Sequence, residues 1–184
     1  MIRTLWDLLN RPAAKPAPVR EPRRKSGQSP AAERYLRMQR EMLSRYGVRV
    51  RKWRSAMSGV AWQVRYHDGS TAKLIEAPRP KGPVSASVFL HEIGHHAIGF
   101  GTYRPRCLEE LHAWCFALDQ MDAWNITITQ NVRKRVHLSL AYAIEKAQRR
   151  GLRCLPDELR PFVNLPTQEA CWVDPRESVA RGPS

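Results

Sequence analysis

Apolar and polar positions recur with two different periods along this chain, and the switches between them lay out its elements. From Ala31 to Tyr46, the residues Tyr35, Leu36, Met38, Met42 and Leu43 fall partly on one side of a helical projection, and Gly47 supplies the stop. The period then drops to two. Val48, Val50 and Trp53 read as one strand, Val60, Trp62, Val64 and Tyr66 as a second, and Thr71 to Ala77 as a third. The His67-Asp68-Gly69-Ser70 turn joins the second and third as a hairpin, since Asp-Gly tolerates the backbone a tight turn requires, and Pro78 and Pro80 end the last strand. Antiparallel pairing of all three strands is expected. Helical spacing returns with Val88, Phe89, Leu90, Ile93, Ala97, Ile98 and Phe100, with Ser85 or Ser87 as cap and Gly99 and Gly101 as stops. Leu108, Leu111, Cys115, Phe116, Leu118 and Met121 predict a helix from Arg106 to Trp124. Val132, Val136, Leu140, Ile144 and Ala147 predict another from Asn131 to Arg150, ended by Gly151. A short helix starting near Pro156 is limited by Pro161. The pattern is that of an α+β protein with a small antiparallel or mixed three-stranded sheet packed on helices.

Chemistry concentrates in the third helix, at His91-Glu92-Ile93-Gly94-His95. Residues four apart on a helix lie on one face, about 6 Å apart along the axis, so His91 and His95 can reach one ion. Glu92 is rotated around the helix from them, where a general base can meet a water without entering the coordination shell. A catalytic zinc site takes three protein ligands and keeps the fourth position open, so one ligand is missing from this pair. A metzincin would need glycine at 98 and histidine at 101; the chain has Ile98 and Gly101, which excludes that class. Glu109 and Glu110, near the start of the next helix, are the candidates for a third ligand, with Glu110 preferred. His96 reads as an outer-shell or surface histidine.

Glu110-Leu111-His112-Ala113-Trp114-Cys115-Phe116-Ala117 resembles the Glu-x-x-Ala-x-x-Phe-Ala glutamate helix of ImmA/IrrE-type metallopeptidases. The match covers roughly residues 84 to 121. It departs from that family in a shorter stretch between His95 and the glutamate and in Trp114 where asparagine is usual, so it extends to the wider minimal-gluzincin group, including SprT-like and plasmid-borne relatives. The resemblance implies a zincin-like fold with an active-site helix and a glutamate helix. It also implies Zn2+ on His91, His95 and Glu110, and peptide hydrolysis with Glu92 as the catalytic residue. Enzymes of this kind cleave repressors or other partners and occur on phages and mobile elements. Tyr103, His112 and Tyr142 are the candidate donors to a tetrahedral intermediate, Tyr103 and His112 being the two carried forward. Zincins commonly add substrate as an extra strand beside the active helix, which makes Lys73 to Ala77 the expected cleft edge.

Composition places this chemistry in a single domain of residues 31–173. Residues 11 to 30 mix Pro12, Pro16, Pro18, Pro22 and Pro30 with arginines and lysines, so residues 1–30 read as a disordered basic tail, and 174–184 as a second unstructured tail. Ile2, Leu5, Trp6, Leu8 and Leu9 form one short amphipathic turn, a docking peptide or a frayed start. No apolar run reaches the roughly 20 residues of a membrane span, and Met1 to Asn10 is too short and polar for a secretory signal, so a cytoplasmic protein is expected. Cys107, Cys115, Cys154 and Cys171 lack the paired spacings of a structural zinc site and read as buried reduced thiols, with Cys171 or Asp174 a candidate inhibitory ligand. A net charge of +14 invites nucleic acid as a partner. However, 24 of the 31 cations are arginine, a bias that base composition alone produces, and no helix-turn-helix or zinc-finger pattern accompanies them. An acidic protein substrate explains the charge equally well. The alternative to a peptidase is a basic nucleic-acid-associated or scaffold protein with a structural or inactive zinc site.

Overall fold

A computed structural model describes residues 29–163 and 172–180 of the chain. The N-terminal tail with its Trp6 segment, and Cys171, lie outside these residues. The first element is helix α1, Pro30–Tyr46, which the chain enters with Pro30 at its first turn and the Ser29 hydroxyl accepting from Ala32 N–H. It leaves through Gly47 at φ +62°, a left-handed conformation that costs glycine nothing. Met38 and Met42 are the buried stripe.

Strands β1 (Val48–Arg54), β2 (Val60–Arg65) and β3 (Thr71–Pro78) follow, in the spatial order β1-β3-β2. The β2–β3 hairpin is antiparallel, as its turn predicts, but β1 runs parallel to β3. The expectation of three antiparallel strands is corrected on this point, and the reason is chemical. β3 is the most buried strand, with Ile75, Glu76 and Ala77 all buried. It takes the centre, leaving the edges to strands carrying Arg49, Arg51, Lys52 and Arg54 or Gln63 and Arg65. Glu76 of β3 then holds β1 through Arg51 at 2.8 Å and Arg54 at 3.0 Å. Because both sides of β3 are paired, Lys73 to Ala77 is no cleft edge; among the described strands that position falls to β2. Residues 55–59 must cross the end of β3 to connect β1 with β2.

Helix α2, Pro83–Ile98, runs through the middle of the molecule, and every residue from Ser85 to His96 is buried. It starts earlier than expected. Pro83 opens it, and Ser85, the expected cap, accepts from the backbone N–H of Lys81 and Gly82 from inside the first turn. Helices α3 (Arg106–Ala123) and α4 (Gln130–Arg149) pack beside it. A 3-10 turn at Asp157–Phe162 buries Leu159 and Phe162. Part of the stretch expected to be an unstructured tail is helix α5, Pro175–Ala180; Arg176 anchors it to Asp122 at 2.6 Å and Asp119 at 3.3 Å on α3. One core joins Met38 and Met42, Ile75, Phe89 and Ile93, Leu111 and Leu118, and Val136 and Leu140. The fold is α+β with a small mixed sheet, and no helix among the described residues is long and apolar enough to cross a membrane. Of the thiols expected to be buried, Cys107 is, Cys115 is half-buried, and Cys154 is exposed.

Candidate metal centre

Close packing of α2 on α3 assembles the site. A methyl group on Gly94 would stand 2.8 Å from the Ala113 carbonyl oxygen, so the missing side chain lets the two backbones approach. That approach carries the first turns of α3 to the histidine face of α2. His91, His95 and Glu110 then offer ligand atoms that all lie within 4.8 Å of one another. Glu110 Oε2 is 3.2 Å from His91 Nε2 and 3.5 Å from His95 Nε2. Two zinc bonds of about 2.0–2.1 Å meeting at the tetrahedral angle span about 3.3 Å, so both separations have the length of a tetrahedron's edge. Nitrogen, nitrogen and carboxylate oxygen form a donor set suited to a divalent cation.

Glu109 points elsewhere. Its Oε2 accepts from Gly101 N–H at 2.6 Å, and its Oε1 faces His95 Nδ1 at 3.6 Å. Both of those facing atoms are buried without a hydrogen-bond partner, and Arg106 Nε lies 3.9 Å from Glu109 Oε1. A carboxylate behind a ligating histidine holds the ring and directs its other nitrogen to the ion, which is the position Glu109 occupies. Trp114 stacks on His91 with ring centroids 4.2 Å apart and fixes that ring from its other side. His96, expected at an outer shell or the surface, is buried instead and sits 3.1 Å from the Leu74 carbonyl through Nε2, tying α2 to β3.

Electrostatics act differently on the three candidate ligands. Burial pushes His91 down to about 4, against the opposing pull of Glu110. Burial acts to raise Glu110, but the hydrogen bonds and charges of His91 and His95 outweigh it and hold the carboxyl below its usual range. Burial opposes a proton on His95, yet the bond to Glu110 and the charges of Glu110 and Glu92 raise it overall. Glu92, 5% exposed, lines the same cavity, and burial pushes its carboxyl up to about 7. A methyl group on Gly59, in the crossover between β1 and β2, would overlap the Glu92 side chain.

The cavity in front of these groups has a volume of about 520 Å³. It is lined by Ser58 to Ala61 and by Arg135, Ser139, Tyr142 and Lys146 of α4, with Arg150 just past the end of that helix. Tyr142 reaches the cavity, whereas Tyr103 and His112 do not line it. Those two rings stack on each other 3.5 Å apart, and burial lowers His112. Asp174 is likewise committed elsewhere, 2.7 Å from Arg176, and supplies no ligand. Sequence reasoning missed Gly59, Arg135, Lys146 and Arg150. The last three share a signal it could have used, because with Ser139 and Tyr142 they recur every three or four residues along α4. No family model matches the chain, and neither a curated protein nor a solved structure is significantly similar to it.

Proposed function

We propose that the chain is a zinc-dependent endopeptidase of the minimal-gluzincin kind, with His91, His95 and Glu110 as ligands and Glu92 as general base. The observation that carries this reading is the convergence of His91, His95 and Glu110, whose ligand atoms lie within 4.8 Å of one another, beside the buried Glu92 carboxylate. A zinc ion there supplies Lewis acidity, polarising a scissile carbonyl and acidifying a water. Glu92, buried at the same cavity, would take the attacking water's proton and pass it to the leaving amine. Tyr142 and Arg135 line the cavity and are the donors placed to meet the developing oxyanion. The free edge of β2 gives the substrate backbone a strand to pair with.

A structural site is closed by four protein ligands. Three gather here among the described residues, and a cavity lies in front of them, which favours catalysis over the alternative of a nucleic-acid-associated scaffold with structural zinc. Elemental analysis of the purified chain should find stoichiometric zinc. Glu92→Gln should keep that zinc and lower cleavage of a fluorescence-quenched peptide library by about 10²–10⁴-fold. A wild-type protein that takes up no zinc, or a Glu92→Gln protein as active as wild type, overturns the reading.

A further inference from the structure

We propose that the substrate of this site is an acidic peptide segment, read by a row of cations on α4. The inference rests on the peptidase reading above and adds its substrate class. Arg135, Lys146 and Arg150 all line the cavity, and none forms a salt bridge among the described residues, although the charge of Arg135 acts on Glu92. The Arg135 Nε–H is buried with no acceptor, a donor held at the cavity and awaiting one. Elsewhere Arg45 pairs with Glu41, Arg149 with Glu145 and Arg160 with Asp157. The three cavity cations carry no such pairing and stand beside the space a substrate would fill. Arg106 adds a fourth cation at the rim, 3.5 Å from the ligand Glu110.

Geometry sets the form of the ligand. From Arg135 to Arg150 the helix rises about 22 Å, the length of about seven residues of extended chain. The row faces Gly59, Val60 and Ala61 across the cavity, so the space between them holds one extended strand, with backbone toward β2 and acidic side chains toward α4. A single-stranded nucleic acid would share the negative charge but binds on successive exposed aromatic rings. Tyr142 is the one exposed aromatic ring among the described lining residues; Trp114 is buried against His91. The observations favour the peptide.

Fluorescence anisotropy of the full chain carrying Glu92→Gln tests this without turnover. The probes are a labelled peptide alternating glutamate with neutral residues, its glutamine counterpart, and a labelled single-stranded oligonucleotide. The glutamate peptide should bind about tenfold tighter than the glutamine peptide and weaken with added salt. Lys146→Glu with Arg150→Glu should remove that preference, while the same charge change at Arg40→Glu with Arg49→Glu, away from the cavity, should leave it. Equal binding of the two peptides, or a preference that survives the α4 reversal, overturns the proposal. So does an oligonucleotide that displaces the peptide and depends on the same two cations. Cleavage by wild type without acidic preference sinks this inference and leaves the peptidase standing. Acid-selective binding without cleavage does the reverse.

Discussion

At the scale of single residues, the site separates two adjacent glutamates into different tasks. Glu110 faces both histidines, whereas Glu109 stands behind one of them. Glu110→Ala should abolish stoichiometric zinc binding. Glu109→Gln should leave the site assembled but lower zinc affinity by about 10–100-fold, the usual effect of losing the carboxylate behind a ligating histidine. Competition with a zinc-sensitive dye measures both, and equal losses would remove the distinction. The atoms nearest a methyl group on Gly59 are those of Glu92 and not of the three candidate ligands: Gly59→Ala forces Glu92 aside, so on the proposed reading peptide cleavage should fall at unchanged zinc content. The two histidines and Glu92 were legible because their spacing lies within one turn of helix. The third ligand was legible only to within a pair of neighbours, since the rotation of α3 about its axis depends on how it packs.

That packing belongs to the scale of elements. α2 and α3 make close contact through Gly94, and Gly94→Ala brings a methyl group against the Ala113 carbonyl. Backbone cannot yield as a flexible side chain does, so the helices should move apart. The variant should lose on the order of 1–3 kcal/mol of stability in urea denaturation and bind zinc poorly although every ligand is present. Unchanged stability and zinc affinity would mean that the helices tolerate the separation. Helices α1, α3 and α4 were read from sequence to within a residue or two because their apolar periodicity is a local property, whereas α2 opens earlier than read and α5 lies in a stretch read as tail. The sheet was harder. The Asp68-Gly69 turn announces the β2–β3 hairpin, but nothing local states that β3 lies in the centre, since that follows from Glu76 meeting Arg51 and Arg54 of a distant strand.

At the scale of the whole molecule, the wall of the cavity comes from α4 and the β1–β2 crossover, segments remote from the motif, which is why their part was not foreseen. The C-terminal helix is held by a different device. Burial works to raise the Asp174 carboxyl, but hydrogen bonds from Arg176 outweigh it and keep it below the usual range. A depressed carboxyl stabilises the fold fully above its unfolded value of about 3.9 and loses that contribution as pH falls toward the folded value. α5 should therefore stay docked at neutral pH and begin to release below about pH 4, visible as faster amide exchange at residues 175–180. Asp174→Asn should show the faster exchange already at pH 7.

The crossover of residues 55–59 has a consequence for how this protein could change. All three ligands come from one contiguous helical hairpin, while the wall against Glu92 comes from a glycine more than thirty positions upstream. The three candidate ligands and the wall against Glu92 are thus inherited from separate stretches of the gene. On the proposed reading, a lesion or insertion in the upstream stretch would leave the ligands intact and disturb only the base, a route from an active peptidase to an inert decoy.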